Sequence, residues 1–298
     1  MYLRINSVSN EIRFKESILK NFNYWLKHNN KFAEFFNPAK CHPLTLDLKL
    51  VKLVTFVSRD LNIPISWSWY KYGPAVVRTS KISVESLLTL GSSKEFIKDM
   101  GPSFETNYSE FIKYPDIFSY LNFVYSEKDE NEMYLSKLQL FNAFDTAKSN
   151  IYGSKKIEYD TISDLTSQFH LDLHSTVVPD DVCNDFELQN LIVDYTTIME
   201  ELILKNQFEP KNTDSYSALL DRTYNALWDN GWEAYASKMS MNTMRSFSDE
   251  QKQYLIDEEF SYYPLKLKYA SDLLGHLKQD IAKENLSLDA SEREQLMT

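Results

Sequence analysis

The sequence predicts a mainly α protein in two parts: a basic domain over about residues 1–95 with a small β element, and an acidic α-helical bundle over about 105–298. Three observations carry this. Apolar residues recur at helical spacing through most of the chain. One stretch, Ile65 to Tyr70, alternates instead and ends in the turn sequence Tyr72-Gly73-Pro74. Charge divides near residue 100, with 15 Lys and Arg against 8 Asp and Glu before it, and 17 against 35 after it. The 298 residues exceed the roughly 250 at which single cores stop growing, which fits two domains. A 43% apolar and 14% aromatic content excludes a wholly disordered chain.

The elements follow in order. Ile12, Ile18, Leu19, Phe22, Trp25, Leu26, Phe32 and Phe36 lie close to helical spacing and predict a long amphipathic helix over 8–36, broken near Asn29-Asn30. A second helix follows Pro43 with Thr45 as its N-cap, carries Leu46, Leu50, Leu53, Val54 and Val57, and stops at Asn62-Ile63-Pro64. Its polar face is expected to show Lys49, Lys52 and Arg59. In the strand 65–70, period-2 spacing sends Trp67 and Trp69 to the core and Tyr70 to the opposite side. After the turn, Ala75 to Val77 return as a short partner strand or start a helix.

Ser83 to Leu90 reads as a brief helix stopped by Gly91, and the Gly and Ser residues between 91 and 105 mark a linker. Beyond it, helices are predicted over roughly 106–125, 130–151, 182–206, 213–243 and 248–285, with Pro264 kinking or dividing the last. Trp228 and Trp232, one helical turn apart, read as a core pair of this bundle.

Common catalytic frameworks are absent. The six glycines form no G-x-G-x-x-G, no G-x-x-x-x-G-K-[ST] and no G-x-S-x-G, and there is no H-E-x-x-H, C-x-x-C or EF-hand loop. No cofactor or catalytic residue is assigned. The best remaining metal candidates are His170, Asp172 and His174: on a helix the two histidines share a face, on a strand all three do. Alternation of Phe169, Leu171 and Leu173 with them fits an ordinary amphipathic strand equally well. Cys41 and His42 read as loop residues before Pro43. Two cysteines without paired spacing, no apolar leader and no run of about 18 apolar residues lead us to expect a cytoplasmic protein outside the membrane.

Residues 157–204 contain eleven acids and no Lys or Arg. Such a run is most often a solvated face; the sharper expectation is that it docks on Lys49, Lys52 and Arg59 and competes with a polyanionic ligand. Lys71, Arg78 and Lys81 with Tyr70 and Tyr72 make an aromatic and basic surface of the kind that contacts phosphates or a protein partner.

Leu50-Val51-Lys52-Leu53-Val54-Thr55-Phe56, followed about a dozen residues later by Trp69-Tyr70-Lys71-Tyr72-Gly73-Pro74, resembles the Panacea (SocA-like) antitoxin domains and the related YwgA-like proteins. Those families carry a helix of K-L-x-Y-x type before a W-Y-x-Y-G-P turn. The match covers about 40 residues, and Thr55 and Ala75-Val76-Val77 depart from the usual pattern. The resemblance implies a helix-turn-helix-like or winged-helix-like N-terminal domain that acts by binding, in toxin neutralisation, phage defence or transcriptional control. On this reading nucleic acid meets Lys49, Lys52, Arg59, Tyr70, Lys71, Tyr72, Arg78 and Lys81, while the acidic bundle takes a protein partner or a second copy. A protein-interaction adaptor without nucleic-acid contact is the alternative, and a metal-dependent hydrolase using the His170 cluster the third choice.

Overall fold

The computed structural model describes residues 8–40, 43–63, 65–76, 82–93, 97–128, 131–175, 184–208, 214–243 and 261–296, with Val182 and Gln253. It is mainly helical with one two-stranded antiparallel sheet, and it divides into two compact units, Met1–Val124 and Tyr125–Thr298.

In the first unit, α1 (Val8–His28) buries Ile18, Leu19, Phe22, Trp25 and Leu26, the single apolar stripe its sequence spacing requires. It ends where Asn30 takes φ 56°, which lets the Lys31 N–H return to Leu26 O at 2.8 Å, and the short α2 (Phe32–Phe35) follows. Helix α3 (Pro43–Asp60) starts at its proline rather than at Thr45, as a residue without an N–H allows at a first helical position. From Lys49 through Ser58 every residue is buried, so α3 is the central helix of the unit and has no broad polar face. It stops where Asn62 adopts φ 50° and the Ile63 N–H reaches Ser58 O.

Strands β1 (Trp67–Tyr70) and β2 (Gly73–Val76) pair with Trp67 opposite Val76, Ser68 opposite Ala75 and Trp69 opposite Pro74. The return at Ala75 is therefore a strand. Helix α4 (Val84–Thr89) is N-capped by Ser83, and its C-terminal carbonyls at Leu87 and Gly91 accept from the buried Asn23 amide of α1 at 2.8 and 3.1 Å.

The first unit continues past the expected linker. Helix α5 (Gly101–Lys113) carries Phe104, Tyr108 and Phe111 at i, i+4 and i+7, and these enter an aromatic cluster with Phe22, Trp25 and Phe35 at ring separations of 5.3–6.4 Å. Burying such rings is worth about 1.5–3 kcal/mol each, which places this segment with the N-terminal residues despite the change of charge at 100. Pro115 breaks the predicted 106–125 helix, and Asp116 caps α6 (Ile117–Phe123) by accepting from the Ser119 N–H at 2.9 Å.

A π-helical turn, Val124–Lys128, leads into the second unit, a helical bundle. Its helices are α7 (Glu132–Tyr152), α8 (Tyr159–Leu173), α9 (Phe186–Phe208), α10 (Asp214–Asn225), α11 (Trp232–Thr243), α12 (Tyr263–Lys283) and α13 (Ala290–Leu296). Helix α9 is buried on nearly every side, from Leu188 and Ile192 to Met199 and Ile203, and sits at the centre. Between α10 and α11 a π-helical turn, Ala226–Gly231, keeps Trp228 and Trp232 on the buried side. A Cβ at Gly231 would lie 3.4 Å from Ile192 and Tyr195, so the glycine permits the close approach to α9. Trp232 stacks on Tyr235 at 4.4 Å and meets Tyr134 edge-on at 5.3 Å, while the buried Lys137 ammonium lies 5.1–5.5 Å from the rings of Phe141, Trp228 and Trp232.

Two points left by the sequence bear on this unit. Residues 159–173 form helix α8, one of the two geometries the sequence left open, because Ile162, Thr166, Phe169 and Leu173 supply a full helical stripe that the five-residue alternation around His170 conceals. Pro264, expected to kink or divide a helix over 248–285, lies in the first turn of α12, where a missing N–H costs no bond; residues 254–260 before it lie outside the described residues. No helix among the described residues is long and apolar enough to cross a membrane.

Candidate functional site

The predicted binding residues separate into two groups. Sequence spacing places Lys49 and Lys52 on a polar face of α3, but both are 0% exposed. The Lys49 ammonium donates to Phe111 O at 3.0 Å, Tyr114 O at 2.7 Å and Pro115 O at 3.1 Å. These are the carbonyls left open at the end of α5, where the helix dipole favours a cation. Lys52 donates to Tyr72 O at 2.5 Å and Pro74 O at 2.7 Å, across the turn of the hairpin. Neither lysine can meet a polyanion, and neither offers a surface for the acidic tract to cover. The physical reason is that α3 is apolar on all sides, so a lysine within it must be satisfied internally.

Thr55, noted in the sequence only as a departure from the SocA-like pattern, completes the attachment. Its hydroxyl accepts from the Val76 N–H at 3.0 Å and donates to Val51 O at 2.9 Å. The hairpin is therefore fixed to α3 at both its turn and its second strand. A polar position one turn after a lysine in an otherwise apolar helix was the available signal, and it points to a backbone partner.

Arg59, the next-to-last residue of α3, is exposed, and its guanidinium lies 5.0 Å from the centre of the Trp67 ring and 5.8 Å from Phe56. The side-chain phase of β1 is opposite to the expected one. Ser68 is 0% exposed, whereas Trp67 and Trp69 are half-buried. Ser68 and Ala75 face each other as two small residues, a pairing that gives the sheet a thin, enclosed side, and the indoles occupy the other side. Tyr70 and Lys71 are half-buried, Tyr72 is 37% exposed, and the Lys71 ammonium lies 5.6 Å from the Tyr72 ring. The site that remains is a strip made of Arg59, Trp67 and Trp69 on the indole side of β1 with Lys71 and Tyr72 in the turn, while Tyr70 shares the side of Ser68. Arg78, Lys81, Cys41 and His42 lie outside the described residues.

In the second unit, His170 and His174 lie one turn apart near the end of α8, but Asp172 points elsewhere and accepts from Gln168 at 2.7 Å. His170 Nε2 is 2.7 Å from the buried Thr196 hydroxyl, and burial, with His174 nearby, lowers its pKa and favours the neutral ring. Among the described residues no group of three His, Cys, Asp or Glu could hold a metal ion. The three candidates do not converge.

The acidic tract finds counter-charges within its own unit. Asp185 pairs with Lys238 at 2.8 Å and accepts from Tyr263 at 2.7 Å, Asp194 pairs with Lys278 at 2.7 Å, and Glu201 with Arg293 at 2.8 Å. Burial pushes the Asp185 carboxyl up, but the bonds from Lys238 and Tyr263 outweigh it and hold the group below its ordinary value. These contacts tie α9 to α11, α12 and α13. Comparison of the chain with family models, curated proteins and solved structures finds no match.

Proposed function

We propose that the protein is a non-enzymatic binding protein whose N-terminal unit engages a protein partner through the β1 strip. The observation that carries this reading is the chemistry left at the surface once Lys49 and Lys52 are assigned inward: one arginine over an indole, with a second indole on the same side and the exposed Tyr72 in the turn. Tyr, Trp and Arg are the residue types that dominate protein-protein hot spots, because they offer large contact area together with a polar or charged end. The likeness of the Lys52 to Pro74 region to the SocA-like domains agrees with a partner-binding role of antitoxin, phage-defence or regulatory type.

Nucleic-acid binding is the second reading. It is favoured by residues 1–124 holding 16 Lys and Arg against 11 Asp and Glu, and by Arg59 and Lys71 lying on the strip. Two measurements separate them. Titration with a mixed-sequence DNA duplex tests phosphate contacts, whose affinity falls with salt at a log-log slope of about 0.9 per neutralised phosphate. Affinity capture with and without nuclease tests a protein partner, which must survive nuclease and be lost in Trp69→Ala/Tyr72→Ala. Tight, steeply salt-dependent duplex binding with nuclease-sensitive capture would overturn the protein reading in favour of the second.

A further inference from the structure

Helices α7 and α8 are joined by a short turn, and along their length the second unit opens a cleft of about 390 Å³. Ala143 and Ala147 line it from α7, Ile162 and Leu165 from α8, and Ile157 from the connecting turn. Two alanines one helical turn apart present only methyl groups, so the space between the helices is left as a slot that larger side chains would fill. The polar lining includes Gln139, Asn142, Thr146 and Thr161. Among the described residues, none of these four side chains has a hydrogen-bond partner in the chain. The lining carries one charge, Glu158, and Lys156 already pairs with it at 2.9 Å.

This neutrality is informative because residues 125–298 hold 32 Asp and Glu against 16 Lys and Arg. We propose that the cleft binds an uncharged flat heterocycle of nucleobase or nucleoside type. Its volume falls in the range of about 300–1,000 Å³ typical of small-molecule sites. Methyl and branched aliphatic walls contact the faces of a ring without hydrogen-bonding to it. The carboxamides of Gln139 and Asn142 each offer a donor and an acceptor side by side, the pattern that matches the edge of a base, and the two threonine hydroxyls suit a sugar or a second ring edge. A phosphorylated form is rejected: no Lys or Arg lines the cleft, and its one carboxylate and the acidic unit repel an anion. The inference concerns the second unit alone and does not rest on the role proposed for the β1 strip.

The test titrates the full-length protein by calorimetry with adenosine, uridine, adenine and adenosine monophosphate, with indole as a flat ring lacking the hydrogen-bonding edge. The expected result is saturable binding of at least one nucleoside or free base, with the monophosphate and indole each at least roughly 10-fold weaker. Ala143→Leu, which fills the slot from a half-buried position, should abolish binding, and Asn142→Ala, at an exposed position, should weaken it several-fold. Both variants should keep the wild-type helical circular dichroism and melting temperature; if Ala143→Leu does not, Asn142→Ala decides. Absence of saturable binding by every base and nucleoside at about 5 mM, where fragment-sized ligands register, would overturn the proposal. So would a monophosphate that binds as tightly as its nucleoside, or full binding by Asn142→Ala.

Discussion

Lys52 and Pro74 are joined by a 2.7 Å hydrogen bond from a fully buried ammonium to a backbone carbonyl 22 residues away. With its second bond to Tyr72 O, the lysine spans the hairpin turn and fixes the strip of β1 against the central helix. Gly73, at φ 79°, supplies the left-handed backbone that brings the two carbonyls to one side. The Tyr-Gly-Pro turn and the lysine of α3 therefore form one structural device, and the aromatic strip depends on it for its position.

Lys52→Met tests that device. The substitution keeps the side-chain volume but leaves the buried Pro74 carbonyl and the part-buried Tyr72 carbonyl without this donor, at about 1–3 kcal/mol for a fully buried group and less for the other. The expected loss is about 2–4 kcal/mol in the stability of the first unit, read by urea titration. Tryptophan fluorescence should also shift red at denaturant concentrations where the second unit's helical signal is unchanged, as Trp67 and Trp69 leave their half-buried positions.

Glu200 predicts a pH effect of the opposite kind. Burial raises the pKa of this carboxyl, the Ser163 hydrogen bond opposes that, and the neighbouring Glu201 raises it further, for a net upward shift. A raised acid contributes stability that is full below its unfolded value near 4.5 and is lost as pH rises through the folded value. Glu200→Gln keeps a partner for Ser163 and removes the charge. It should raise the melting temperature at pH 7 by about 2–4 °C, the effect of about 1 kcal/mol in a domain of this size. The difference should vanish below about pH 4; a gain that persists there would show that charge is not the cause.

Much of the fold was legible because apolar period and turn chemistry are local. The stripe of α1, the brief helix after Ser83 and the alternation before Gly73 each read directly from neighbouring residues. The strip was legible as a set of residue types but not in its phase, because Ser68 faces inward only through its pairing with Ala75. The burial of Lys49 and Lys52 was harder still. A lysine on an apolar helix reads as a surface charge unless its acceptors are known, and here they are carbonyls of Phe111 and Pro74, contributed by segments 62 and 22 residues away. The placement of α5 was hidden for a related reason: charge changes at residue 100, while the aromatic face of Phe104, Tyr108 and Phe111 is what decides which core it joins.

The C-terminal helix gives a second titration. Lys205 donates to both carboxylate oxygens of Glu292 at 2.7 and 2.8 Å, and Glu292 exchanges bonds with Asp289 as the cap of α13. The Lys205 bond, followed by the Asp289 N–H, holds the Glu292 carboxyl below its ordinary value against a smaller effect of burial. Such a depressed acid contributes stability above its unfolded value near 4.5 and loses it as pH falls through the folded value. Hydrogen exchange over residues 290–296 should therefore accelerate about 10-fold or more between pH 5 and pH 3 after correction for the intrinsic rate, while α9 remains protected. Lys205→Met should accelerate exchange in this segment already at pH 7 and weaken its pH dependence, the Asp289 N–H bond to Glu292 remaining.

The three basic residues of α3 can be told apart by stability alone. If Lys49 is the cap of α5, then Lys49→Met leaves the carbonyls of Phe111, Tyr114 and Pro115 short of a donor, and the first unit should lose about 2–4 kcal/mol. Arg59→Ala removes an exposed cation lying over Trp67, an interaction worth about 0.5–1 kcal/mol, and should shift the midpoint by no more than that. Surface phosphate contacts would give the reverse pattern: near-neutral stability for Lys49→Met and Lys52→Met, with parallel losses of duplex affinity in all three variants. Urea midpoints that fall for Lys49→Met and Lys52→Met but stay near wild type for Arg59→Ala establish that two of the three cations hold the hairpin and α5 in place, with Arg59 as the exposed cation at the end of this helix.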